Sequence, residues 1–305
     1  MSIRRLTALG AAALVALTAC SDPSDVEEDG TDEAQQTTES VSVGSADFPE
    51  SEIIAEIYAQ ALEGQGIEVE RSFQIGAREV YLPAMENGEI DLIPDYTGNL
   101  LSYLDPDTTA TSAEDIEDEL PQALPEGLDT LYPAPAENKD SLNVTPEFAE
   151  EHDLQTIGDL AELDQISLAA NPEFAERSYG IPGMEEVYGI TEVDFTAISD
   201  GGGPATVQAL LDGTVDVADI YTTTPAIEEH DLVTLEDPEE MIAAQHVVPV
   251  IRPDALSGEA IDILNQLSVS LSTEELMRMN ALNSGDDVQE PATIAADWLE
   301  ENGLN

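Results

Sequence analysis

The chain contains one short passage twice. Gly88-Glu89-Ile90-Asp91-Leu92-Ile93-Pro94-Asp95-Tyr96-Thr97 is echoed by Gly213-Thr214-Val215-Asp216-Val217-Ala218-Asp219-Ile220-Tyr221-Thr222, at a constant offset and without a gap. Upstream, at the same offset, Gly76 matches Gly201 and Ala84 matches Ala209. Each copy reads as a glycine turn, a short amphipathic helix, a glycine stop, a buried strand and then Tyr-Thr. A chain that builds one half-site twice is expected to form two similar lobes, with a tyrosine from each facing a shared cleft. Ligands of open α/β sheets sit beyond the carboxyl ends of the strands, where Tyr96 and Tyr221 fall. The expectation is a protein that closes around a small molecule.

The surrounding pattern agrees with an α/β fold. Val41 to Val43 reads as a strand, and Pro49 and Glu50 open a helix with an apolar stripe of Ile53, Ile54, Ile57, Tyr58, Ala61 and Leu62. Ile67, Val69, Arg71 and Phe73 alternate as a strand does. Strands alternating with helices imply crossover units and a largely parallel sheet. Further strands are expected at 141–144, 166–170 and 247–251, and helices fill the tail. Thr145-Pro146 and Asn171-Pro172 both read as a helix N-cap followed by a first-turn proline. The glycine turns Gly76-Ala77-Arg78 and Gly201-Gly202-Gly203 present helix N-termini, where free N–H groups suit a carboxylate.

Charge narrows the class of partner. The 305 residues carry 66 Asp and Glu against 8 Lys and Arg, a formal net charge of -58. Such a surface repels nucleic acid and anionic lipid. It suits high ionic strength, where screening suppresses self-repulsion. With so few cations, any arginine near a cleft is informative.

The N-terminus carries a second signal. Arg4 and Arg5 precede an apolar run from Leu6 to Ala19, too short for a comfortable membrane span but suited to export. Leu17-Thr18-Ala19-Cys20 resembles the lipobox of bacterial lipoproteins, which makes residues 1–19 a signal peptide and Cys20, the only cysteine, the lipidation site. Residues 20–40 then form an acidic tether without enough apolar surface to order itself, with a reach of roughly 25 Å.

Catalytic constellations are not visible. The three histidines, His152, His230 and His246, form no metal-ligand pair at helical spacing. There is no Gly-x-Ser-x-Gly elbow and no P-loop. No enzyme activity, cofactor or metal is expected.

Several motifs together carry a family resemblance. They are Gly44-Ser45-Ala46-Asp47-Phe48-Pro49-Glu50, the first repeat through Tyr96-Thr97-Gly98, Asn171-Pro172-Glu173-Phe174-Ala175-Glu176-Arg177, Tyr221-Thr222-Thr223 and the closing Asp297-Trp298-Leu299-Glu300-Glu301-Asn302-Gly303. Residues 41–305 resemble the substrate-binding protein of osmoprotectant ABC importers, which take glycine betaine, proline betaine, choline or carnitine. The resemblance implies a two-lobe fold of the periplasmic-binding type with a hinge. Residues 41–139 and 245–305 would form the first lobe and 140–244 the second. It also implies a monomer, lipid-anchored on the outer face of the cell membrane, that delivers a quaternary amine to a permease and its ATPase. A sensor without transport, or an importer of another amine or zwitterion, would carry the same features.

In that family a tyrosine cage holds the trimethylammonium group, and an arginine and a lysine bind the carboxylate. Tyr96 and Tyr221 match two cage tyrosines and Arg177 the arginine. Elsewhere the chain departs from the pattern. Ala46 stands in place of the lysine and Asn99 in place of a threonine, while Asp140 and Gln245 fall where two further tyrosines are expected. The resemblance therefore implies a reduced cage in which Asp140 supplies a charge instead of a π-face. Arg78 either replaces the missing lysine or pairs with Glu79 on the surface.

Overall fold

A computed structural model describes residues 40–284 and 287–304. The signal segment, Cys20 and the tether up to residue 39 lie outside the described residues. The chain runs β1 (Val41–Gly44), α1 (Pro49–Gly64), β2 (Val69–Ser72), α2 (Arg78–Glu86), β3 (Leu92–Tyr96), α3 (Thr97–Leu104), α4 (Ala113–Ala123) and β4 (Asp129–Thr130). It then enters a second sheet with β5 (Leu142–Val144), α5 (Pro146–His152), β6 (Ile166–Ala170), α6 (Ile181–Tyr188), β7 (Val193–Ala197), α7 (Pro204–Leu211), β8 (Val217–Asp219), α8 (Ala226–Glu229) and β9 (Val233–Thr234). It returns as β10 (Val247–Ile251) and ends in α9 (Gly258–Ser270), α10 (Thr273–Leu282) and α11 (Pro291–Asn302).

The two sheets have one topology. Their strand orders are β2-β1-β3-β10-β4 and β7-β6-β8-β5-β9. The first three strands of each are parallel, as crossover helices require. The fourth is antiparallel in both and belongs to a stretch that has just crossed from the other sheet. Each sheet is therefore mixed, with one reversed strand among parallel neighbours.

A shared joint shows how closely the copies agree. Asp91 Oδ2 accepts from the Ser42 N–H at 2.9 Å, and Asp216 Oδ2 accepts from the Ser167 N–H at 2.9 Å. The return bonds run from the Asp91 N–H to the Ser42 carbonyl at 2.8 Å and from the Asp216 N–H to the Ser167 carbonyl at 3.0 Å. Ser42 and Ser167 keep the offset of the repeat. The repeated aspartate thus ties each first strand to each third strand.

Separate cores back the sheets. The stripe of α1 packs against Trp298 and Leu299 of α11. Leu142, Leu168, Met184 and Val217 belong to the core of the second sheet. Each fully buried aliphatic side chain contributes roughly 1.5–3 kcal/mol. Thr145 caps α5 as expected, its hydroxyl accepting from the Phe148 N–H at 3.2 Å. Asn171 departs from expectation. Pro172–Ala175 forms only a 3-10 turn, and the Asn171 side chain makes no cap bond.

The crossings between the sheets run side by side. Glu137 bridges His246 in antiparallel register. The Asn138 N–H donates to the Gln245 carbonyl at 3.1 Å, and the Gln245 N–H to Glu137 Oε1 at 3.1 Å.

Candidate ligand-binding site

Aromatic side chains from both sheets meet where the repeats end. Tyr96 closes β3, and Tyr221 lies two residues beyond β8. Phe48, just before α1, sits between them. Its ring centroid is 6.1 Å from that of Tyr96 and 5.7 Å from that of Tyr221, edge-on to the latter. Gly201 permits this approach. Its φ is +65°, and a Cβ there would lie 2.8 Å from the Phe48 Cβ. The rings border a cavity of about 100 Å³ that Phe174, Tyr179, Tyr81 and Asn171 also line. Drug-sized pockets occupy roughly 300–1,000 Å³, so this one suits a ligand of few heavy atoms.

On the first-sheet side the charges at the strand end cancel. Arg78 is the first residue of α2, where a cation opposes the helix dipole. Asp95, 1% exposed, compensates by accepting from both Nε and a terminal nitrogen of the guanidinium. Burial, the largest single influence, would lower the Arg78 pKa, but the charge and hydrogen bond of Asp95 together with Tyr81 and Tyr179 outweigh it and hold the group charged. Asp95 also accepts from the Tyr81 hydroxyl at 2.7 Å and the Tyr96 N–H at 2.7 Å. The Tyr96 hydroxyl donates to Glu50 Oε1 at 2.5 Å. The Glu50 carboxylate further accepts from Asn138, Thr223 and Asn280 at 2.8, 2.6 and 2.6 Å.

On the second-sheet side they do not cancel. Leu142 pairs with Asp219 in antiparallel register, and the Thr222 N–H donates to the Lys139 carbonyl at 2.9 Å. Asp140 therefore lies opposite Tyr221. Asp219 and Tyr221 are two residues apart and share its face. Asp140 is 9% exposed and Asp219 1%, and both side chains line the cavity. Both pKa values are raised, first by burial and, for Asp219, next by the charge of Asp140.

Not all expected site residues reach this cavity. Tyr96, Tyr221, Arg78, Arg177 and Asp140 line it. Asn99 and Gln245 do not; they stand behind Asp140. Gln245 Nε2 donates to Asn99 Oδ1 at 2.6 Å, and Asn99 Nδ2 to Asp140 Oδ2 at 2.7 Å. Arg78 takes neither expected role alone, since its guanidinium belongs to Asp95. Glu79 binds Arg177 instead, at 2.6 Å from the other lobe. Arg177 also lies 5.1 Å from the ring centre of Tyr103 in α3.

The helix N-termini differ. That of α7 is filled by the chain itself: Asp200 accepts from the Gly203, Ala205 and Thr206 N–H groups at 3.2, 2.7 and 3.1 Å. No side chain caps α2.

Phe48, Tyr179, Asn171 and Asp219 were not among the expected site residues. Asn171 read as a helix cap, but its Nδ2 donates to the Tyr221 hydroxyl at 3.0 Å and its Oδ1 accepts from the Gly201 N–H at 3.1 Å. Asp219 lay in the repeat, and its partner at the repeat offset, Pro94, concealed it. No local signal marks Tyr179. Together these residues enlarge the cage that two tyrosines alone would form.

Two lobes, a pair of crossing segments and an aromatic cavity accompany a family match. Residues 39–301 match the OpuAC model, the substrate binding domain of ABC-type glycine betaine transport systems. The chain belongs to this family. It is 28% identical over 282 residues to the glycine betaine-binding protein YehZ of Escherichia coli (strain K12), covering 88% of this chain and 92% of that protein. It is 26% identical over 283 residues to a glycine-betaine-binding protein of Pseudomonas aeruginosa, covering 87% and 89%. The solved structure of apo YehZ superposes with a TM-score of 0.62 at 27% identity, over 88% of this chain and 100% of that one. A structure described as a glycine betaine/carnitine/choline ABC transporter gives a TM-score of 0.69 at 22% identity, over 87% and 99%, and supports the fold. OpuAC proteins are extracytoplasmic substrate-binding proteins of ABC importers rather than enzymes, and this chain is such a solute-binding component.

Proposed function

We propose that this OpuAC protein captures a quaternary-ammonium compatible solute between its lobes and delivers it to a membrane permease. One observation carries the reading. The Asp140–Asp219 pair and the faces of Tyr221, Tyr179 and Phe48 share one small, largely buried cavity. An acidic wall beside aromatic faces suits a cation that is too weakly hydrated to form strong hydrogen bonds.

Residues 41–139 with 245–305 act as one lobe and 140–244 as the other, and the crossings near Asn138 and Gln245 serve as the hinge. Cys20 carries the lipid that holds the protein at the outer face of the membrane. It works as a monomer and turns nothing over. Closure brings Tyr96 and Tyr221 onto the ligand, as in other hinged binding proteins.

Choline competes with glycine betaine for this assignment. Both cavity arginines are already bonded to carboxylates, Arg78 to Asp95 and Arg177 to Glu79. A ligand without a carboxylate leaves those pairs intact. Calorimetry of unlipidated Cys20→Ala protein with glycine betaine, choline, carnitine and ectoine tests both readings. Saturable binding of a quaternary amine is expected. Heat with none of the quaternary amines would sink the assignment.

A further inference from the structure

The first turn of α1 does more than start a helix. Glu50 is 4% exposed, and its two oxygens accept four hydrogen bonds, which fills the capacity of a carboxylate. Oε1 accepts from the Tyr96 hydroxyl and Asn138 Nδ2, and Oε2 from the Thr223 hydroxyl and Asn280 Nδ2. All four donors are neutral, so hydrogen bonds and the positive end of α1 stabilise the buried carboxylate.

The donors come from both sides of the cleft. Tyr96 ends β3, Asn280 lies in α10 and Asn138 belongs to the crossing, whereas Thr223 follows β8 in the second lobe. Thr223 stands two residues after Tyr221 and is 1% exposed. Its N–H donates to Asn138 Oδ1 at 3.3 Å, and its hydroxyl accepts from Asn280 Nδ2 at 3.0 Å. Phe48, two residues before Glu50, stacks between the rings of Tyr96 and Tyr221. One helix start therefore carries the ring between the tyrosines and the carboxylate that both tyrosine segments share. Burial and then the Glu50 charge raise the Tyr96 pKa, which keeps its hydroxyl a donor.

We infer that Glu50 is a positioning residue that ties the Tyr96 ring to the Tyr221–Thr223 segment across the lobes, a role that rests on the quaternary-ammonium reading above. Glu50 is not among the residues that line the cavity, and it acts through the two tyrosines. Faces held in place before the ligand arrives lose less freedom on binding.

Three conservative variants of unlipidated Cys20→Ala protein test this. Glu50→Gln keeps the shape of the side chain and removes its charge. Tyr96→Phe keeps the ring and Thr223→Val the volume, and each severs one end of the link while the carboxylate stays. Choline calorimetry should show affinity weaker by about fivefold in each. The Tyr96→Phe/Thr223→Val double variant should lie within about twofold of the weaker single, because a link cut once is already lost. Fluorine NMR of ligand-free, fluorotyrosine-labelled protein supplies a second readout. Thr223→Val should shift or broaden the Tyr96 resonance, to which it is bonded only through Glu50, and Tyr96→Phe should do the same to that of Tyr221. Tyr188, bonded to Asp237, should stay unchanged in both.

Losses that multiply in the double variant, or a Tyr96 resonance indifferent to Thr223→Val, would overturn the inference. So would a Glu50→Gln protein that melts earlier yet binds choline as the parent does, since its role would then be stability alone. If neither choline nor a betaine binds the parent, the ligand reading falls, and the fluorine spectra by themselves decide whether Glu50 couples the two tyrosine segments.

Discussion

The two halves of the cleft are built alike and charged differently. In the first lobe, a buried carboxylate at the strand end, Asp95, meets Arg78, and the pair is neutral. In the second, Asp219 meets Asp140 and the wall is acidic. The strand orders correspond position by position, and the Asp91–Ser42 and Asp216–Ser167 joints have the same 2.9 Å bond. Scaffold and chemistry have thus separated within one repeat. The joints fix the strands, whereas the residues at and beyond the strand ends line the cavity.

The contrast is broken most forcefully from the first lobe. Arg78→Gln leaves Asp95 buried without its cation, a loss of roughly 3–5 kcal/mol. At about 2–4 °C per kcal/mol, the melting temperature should fall by about 10 °C. A fall of only a degree or two would mean that the first-lobe wall does not depend on the ion pair.

The aromatic faces should be equivalent across the lobes. Tyr96→Ala and Tyr221→Ala are each expected to weaken quaternary-amine binding at least about tenfold by titration calorimetry. If either is neutral, the cleft is not shared in the way the repeat suggests.

The acidic wall should respond to pH. Asp140 and Asp219 bind protons more tightly in the folded chain than in the unfolded one, because both pKa values are raised. Their contribution to stability is full below the ordinary carboxylate range and is lost as pH rises through the folded values. Asp219→Asn removes that loss. Its melting temperature relative to wild type should therefore climb with pH, by about 2–4 °C at the alkaline end. A difference that stays flat or shrinks as pH rises would contradict the assignment.

The smallest effect concerns the contact between the lobes. Arg177→Ala removes the 2.6 Å ion pair with Glu79, which is half-exposed and well screened. Affinity for choline should fall only about two- to threefold, and the deficit should vanish in high salt. A large, salt-independent loss would show that Arg177 holds the ligand itself.

Much of the fold was legible because it rests on periodicity and punctuation. The stripe on α1, the Thr145-Pro146 cap and the repeat itself are local patterns, set by helix and strand geometry. The site was legible where it sits on those patterns, as Tyr96 and Tyr221 do. Asn171 misled for the opposite reason. Its sequence neighbours point to a cap, while its hydrogen-bond partners, Tyr221 and Gly201, lie far along the chain. The resemblance set Gln245 at a cage position and Asn99 at that of a threonine, yet Asn99 bonds Asp140 from behind the cavity wall and Gln245 bonds Asn99.

By itself, then, the sequence determined two copies of one α/β unit, the tyrosine at the end of each and a chain rich in carboxylates. The tertiary structure alone decided which carboxylates are paired with a cation and which with each other. Repeats and helical stripes arise from neighbours a few residues apart. The ionic state of Asp95 or Asp219 depends on burial and on a partner brought in by a different strand or helix. Arg78 reaches Asp95 from the start of α2, and Asp140 reaches Asp219 only because the chain crosses from one lobe into the other. Charge in a small cavity is set by through-space distance and desolvation, and neither is written in the order of the residues.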